Sequence, residues 1–240
     1  MRKGNIMKVV VLTGLLLFLC SGCGLPIVVA VDSISAGETV SEAKCIILPM
    51  DPNVGANDLQ FREYADYVRR AIINKGYVAT DDITEAQIAL FLLYGISQPQ
   101  ERLYSYSTPV WGQTGVSSAH TSGTIHSYGS GMASYSGMTT YTPQYGVTGY
   151  RSHIGTQVTY TRLITLTAYD LHEYRRTQTE VQLWKTTAIS TGSSGDFRRV
   201  FPVMLAASSD FIGENTGKQV EVTLFENDKR VASLKSAPPE

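Results

Sequence analysis

Apolar positions recur along the chain with two periods, and the switches between them mark out its elements. "CIILP", 45–49, is a short apolar run closed by Pro49 and predicts a buried strand; "DPNVGAND" after it is turn chemistry. Phe61, Tyr64, Ala65, Val68, Ala71 and Ile72 then recur at helical spacing, with Asn57 as the expected N-cap, Gln60 as its capping-box partner and Gly76 as the C-terminal stop. Arg62, Glu63, Asp66, Arg69 and Arg70 form the solvated face of that helix. "IALFLLY", 88–94, has no alternation and reads as a central strand covered on both faces, ended by Gly95 and Pro99.

Regular signals return after Thr156. In 158–170, Ile164, Leu166 and Ala168 fall on one side and Thr161, Thr165 and Thr167 on the other, as in a half-buried strand. A second strand is predicted at 181–189, joined to the first by a polar hairpin connection. A loop at 190–196 leads to a helix over 199–213, its start placed by confining Pro202 to the first turn. Strands at 219–226 and 230–235 close the pattern, and 24–43, with few periodic signals, reads as a tether with a short strand at 27–31. The order predicts an α+β fold over 44–236: a mixed, largely antiparallel sheet, two helices packed on one side, and a long insertion at 101–157.

That insertion holds seven of the 14 tyrosines and Trp111, but only three charges, Glu101, Arg102 and Arg151. Solvated linkers are charged and poor in aromatics, so the composition favours a Tyr/Ser/Gly/Thr-rich β-hairpin continuing the flanking strands over a mobile loop or a surface that orders only with a partner. Trp111, Tyr141, Tyr145 and Tyr150 are the candidate partner contacts.

The N-terminus sets the expected address. Arg2, Lys3 and Lys8 precede an apolar run, 9–19, and then "CSGCG". This has the plan of a secretory signal peptide and is too short for a membrane span, which needs about 20 residues. It resembles the bacterial lipoprotein signal, with Ser21 and Gly22 before Cys23, although Cys20 stands where that family usually has Leu. The resemblance implies a signal peptide at 1–22, lipid attachment at Cys23 and, from Gly24 where Asp would mean retention at the inner membrane, an outer-membrane address. The competing expectation is an ordinary secreted protein cleaved near Gly22 or Ala30. With Cys23 acylated, Cys45 has no partner, so no disulfide scaffold or cysteine metal site is expected. Loss of the signal moves the net charge from −1 to −4, and no basic face remains for nucleic acid.

Candidate chemistry is sparse. His120, His126 and His153 lie in the insertion without any Asp, so no metal is expected. "TGSSG" is not a nucleophile elbow; Ser193 or Ser194 with Asp196 reads as a helix N-cap, where free amides with Arg198 and Arg199 offer a weak anion site. A hydrolase would need Ser193 or Ser194 to meet His172 and an acid, while Asp81, Asp82 and Glu173 are framed by no motif. No catalytic residue and no cofactor is expected.

"NKGYVAT", "AQIALFLLYGI", "ITLTAYDL", "LWKTTAISTG" and "FRRVFPVMLAA" together resemble uncharacterised bacterial envelope lipoproteins carrying a domain of unknown function. The likeness covers 44–234 apart from the insertion. It implies a periplasm-facing lipoprotein, anchored in the outer membrane and acting as a non-enzymatic structural or interaction subunit that meets another envelope protein or its own copies. The alternative is a glycan- or peptidoglycan-binding module using the aromatic insertion.

Overall fold

The computed structural model describes residues 25–37 and 42–236. The signal peptide and Cys23 lie outside them. The chain divides into a body, Met1–Gln100 with Thr159–Glu240, and an arm, Glu101–Val158, one residue longer than the expected insertion.

The strands are β1 (Ile27–Ser35), β2 (Lys44–Pro49), β3 (Val78–Ala79), β4 (Ile88–Ile96), β5 (Gln100–Ser127), β6 (Ala133–Asp170), β7 (Gln182–Gly192) and β8 (Val220–Leu224). The body's sheet has the order β3-β2-β4-β6-β7-β1-β8. β2 runs parallel to β3 and β4, and the pairs β4–β6, β6–β7, β7–β1 and β1–β8 are antiparallel. The mixed, largely antiparallel sheet is therefore present, but with four helices among the described residues rather than two: α1 (Leu59–Asn74), α2 (Leu171–Thr177), α3 (Phe197–Ser208) and α4 (Lys229–Lys235).

Alternation explains which face is covered. Val29 and Val31 of β1, Leu90 and Leu92 of β4, Ile164, Leu166 and Ala168 of β6 and Ala188 of β7 join one core with α1, α3 and α4. Residues of opposite parity, Ile46 and Ala89, form a smaller cluster with Ala86, flanked by Leu48, Phe91 and Leu171 of α2. β4 is thus fully buried on one face only, because Phe91 and Leu93 keep partial exposure.

Five further expectations need correction. The segment 24–43 is not simply a tether, since β1 inserts between β7 and β8. The expected short strand at 27–31 is its first part; hydropathy hid the continuation to Ser35 because an inward position there is polar: Ser33 is 1% exposed, its hydroxyl 2.6 Å from that of Thr186. The last element is helix α4, whose buried Val231 and Leu234 are three residues apart and whose Asp228 side chain accepts from the Arg230 N–H. The connection at 171–180 holds α2, capped by Asp170 and closed by Gln178 at φ 58°. α3 starts at Phe197, two residues before the expected start, with Pro202 inside it; a 3-10 turn (Ser209–Phe211) follows. The first helix is capped by Asp58, which accepts from the Phe61 N–H at 2.8 Å, one residue beyond the expected Asn57.

Candidate functional site

The arm is a two-stranded ribbon in which β5 pairs with β6. Its tip turns through Gly129, Ser130 and Gly131, all at positive φ, and the Tyr128 N–H donates to the Met132 carbonyl at 2.9 Å. Contacts further along keep that register. Thr121 and Thr139 hydroxyls meet at 2.9 Å, Gly146 faces Thr114, and Gly112 faces Thr148. Nearer the base Tyr104 covers Gly155 and Tyr106 stacks on His153 with centroids 5.2 Å apart. The register therefore slips by one residue between the Thr148 and His153 levels.

Successive strand residues point to opposite faces, so this register sorts the candidate residues. Trp111, Tyr145 and Tyr141 stand on one face, at 69%, 68% and 63% exposure. They are spaced four positions apart, roughly 13 Å. Tyr150, 73% exposed, falls in the slipped stretch and outside this row. Tyr135, which sequence reasoning passed over, completes the row; its ring lies over Gly123 and Gly137, where a Cβ would have no room. The signal that finds it is the tip turn, which fixes the register. His120 and His126 share the other face six positions apart, roughly 20 Å. His153 accepts from or donates to Thr108 at 3.0 Å, so the three histidines do not converge.

In the body, the grouping that a hydrolase would need is not assembled. Gly192 pairs with Tyr160 and Gln182 with Tyr169 in the β6–β7 ladder, which puts Ser193 and Ser194 at one end of it and His172 beyond the other, roughly 30 Å away. Asp196 itself caps α3, accepting from the Arg199 N–H at 3.0 Å. The expected anion-binding arginines are already paired, Arg198 with Glu63 and Arg199 with Glu226, each at 2.8 Å. Asp81 pairs with Arg69 and Glu173 with Arg176, as surface residues do.

Arg162 is the polar residue the sequence concealed. It occupies an inward position of β6, is 2% exposed, and donates through Nε and Nη2 to the Ser194 carbonyl at 3.2 and 2.6 Å. Burial, and after it the charge of Arg199, holds its pKa below the usual guanidinium value. It lines a cavity of about 340 Å3 with Ser193, Ser194, Arg199 and Glu226. A second cavity, of about 380 Å3, lies on the less covered sheet face among Leu48, Phe91, Tyr169 and Tyr174.

Cys45, Tyr77 and Trp184 are buried in the main core, where Trp184 Nε1 donates to the Tyr77 hydroxyl at 3.0 Å. Burial pushes the Cys45 thiol from 9.0 up to about 12 and the Tyr77 phenol from 10.0 up to about 12. The folded chain therefore holds both protons more tightly than the unfolded chain. Their stabilisation is complete below pH 9 and is lost as pH rises through about 12. Urea midpoints are expected to be flat to pH 9 and to fall above it, with a shallower fall in Cys45→Ala; a profile flat beyond pH 11 would contradict the burial of both groups. The same burial makes Cys45 unreactive to alkylating reagents until the body unfolds.

No family model matches the chain, and no curated protein matches it in sequence. Among solved structures, a PDZ domain protein from Parabacteroides distasonis is similar at a TM-score of 0.35 and 9% identity, over 82% of this chain and 38% of that one. The lysenin pore is similar at a TM-score of 0.12 and 9% identity, over 83% and 48%. The chain spans less than half the length of either, and scores this low establish no common fold. Among the described residues no helix is long and apolar enough to cross a membrane, which leaves strands untouched by the statement.

Proposed function

We propose that this chain is an assembly subunit of the bacterial envelope, related to the uncharacterised envelope lipoproteins it resembles. Cys23 holds it to the outer membrane with the body in the periplasm, and the arm is its working surface. The role is non-enzymatic: the arm joins another envelope protein or copies of the same chain. The observation that supports this reading is the ribbon itself. Among the described residues each arm strand has a single partner, so both outer edges present backbone N–H and C=O groups. Soluble proteins blunt such edges with charge, Lys above all, whereas residues 103–150 carry no charge at all. An isolated two-stranded hairpin is marginal in water, and edge pairing is its usual remedy.

Photo-crosslinking residues at Trp111 and Tyr145, introduced in the full chain in its native envelope, are expected to give protein adducts. Adducts that sediment with purified sacculi and contain only glycan would replace this reading with the glycan-binding one. The anchor is tested separately: Cys23→Ala is expected to leave the membrane fraction, and a variant still membrane-bound and lipid-labelled would refute it.

A further inference from the structure

Resting on that reading, we infer that the arms of several copies pair edge to edge and close into a β-barrel that crosses the membrane. Charge is the first ground. The chain as a whole is 17% charged, yet 103–150 has none, and its three charges, Glu101, Arg102 and Arg151, stand at the arm's base. An arm bathed in water has no reason to exclude charge over such a length, whereas one facing hydrocarbon does.

The division between faces is the second ground. In the register set by the tip, one face carries Trp111, Ile125, Tyr135, Tyr141 and Tyr145 with glycines between them, and the uncharged polar residues Gln113, Ser117, Thr121 and Thr139. The other carries Thr114, Ser118, His120, Thr140 and Thr142, with Val116 and Met138 as its apolar members. All the tyrosines and the tryptophan between the Trp111 and Tyr135 levels thus stand on one face and His120 and His126 on the other, the sorting of a strand with lipid on one side and a wet lumen on the other. A soluble ribbon exposed on both faces needs no such sorting.

Length is the third ground. From the level of Trp111 to that of Ile125 and Tyr135 is fourteen residues. At about 3.3 Å each and a tilt near 40°, this spans roughly 35 Å, the hydrocarbon core plus part of each interface. Trp111 then marks one interface and Tyr135 the other, where aromatic girdles belong.

Hydrocarbon offers the two open edges no hydrogen bonds, so a lone ribbon cannot stay there; closure by further copies satisfies both edges. Each chain supplies two strands, and barrels that leave an aqueous channel have about sixteen, so a wet lumen takes about eight copies or more. The tip hydrogen bond makes the even-numbered residues the inward donors of the ribbon. Pro143 therefore sits at an outward position and leaves each seam between copies one hydrogen bond short.

The test is dye release from phosphatidylethanolamine–phosphatidylglycerol vesicles reconstituted with the full chain extracted from membranes, with native gels run in parallel. Wild-type protein is expected to release carboxyfluorescein. Tyr141→Lys, on the apolar face, is expected to lower release at least tenfold, while Thr142→Lys, on the polar face, keeps release and shifts ion selectivity toward anions. Both positions are exposed in a single chain, so a difference between them reports lipid against lumen rather than folding. Sealed wild-type vesicles, or equal effects of the two substitutions, would overturn the barrel. If vesicles stay sealed while the envelope photo-crosslinks persist, the interaction reading stands and the barrel alone fails.

Discussion

Phe201→Ala is expected to destabilise the body by about 3–5 kcal/mol, read as a drop in the urea midpoint at constant m-value. Phe201 is fully buried on α3, where its ring stacks on that of Tyr64 from α1 at 4.0 Å. Phe197 packs edge-on to it at 5.8 Å and Tyr94 of β4 at 6.4 Å. Truncation opens a cavity shared by two helices and the sheet, and rings held from three elements collapse poorly into the space. A loss below about 1 kcal/mol would mean that α3 does not seat on the sheet as described.

Deleting 101–158 and joining Gln100 to Thr159 through an Asn-Gly turn is expected to leave the body's stability within about 0.5 kcal/mol of wild type. The ends are already neighbours: the Ser97 N–H donates to the Thr161 carbonyl at 2.8 Å, and the Thr159 hydroxyl lies 3.5 Å from the Gln100 carbonyl. Below them the ladder runs unbroken from Ile96 with Arg162 to Ile88 with Asp170. The deletion thus converts β4 and the body's part of β6 into an ordinary hairpin and touches no core residue. Envelope adducts and vesicle permeability are expected to vanish with it. Calorimetry on the deleted chain checks the first half, and an unfolded product would show that the body depends on the arm.

The sequence-level reading succeeded where one physical signal dominated. α1 was legible because Phe61, Tyr64, Val68, Ala71 and Ile72 are all buried and fall at helical spacing. β6 was legible in its alternation over 163–169, with Ile164, Leu166 and Ala168 buried on one side, but not in its burial, since Thr165 and Thr167 on the other side are covered too, at 5% and 2% exposure. β1 was legible only over 27–31, because beyond it Ser33 points inward while Ile34 is 63% exposed, an inversion no hydropathy pattern can reveal. α4 is seven residues, too short for its period to separate from a strand's. Arg162 gave no signal because a charged side chain at an inward strand position is indistinguishable from an outward one until Ser194 is placed beside it. In the arm, strand character could be read from composition, but the aromatic row needed the tip turn, since a slip of one residue exchanges the two faces.

Native mass spectrometry of the full chain, extracted from the envelope in mild detergent, tests the central claim that the arm joins copies of this protein. An assembly of about eight copies or more that falls to a single chain on deletion of 101–158 is the expected result. A single chain from the wild-type envelope, with the arm intact, would contradict it.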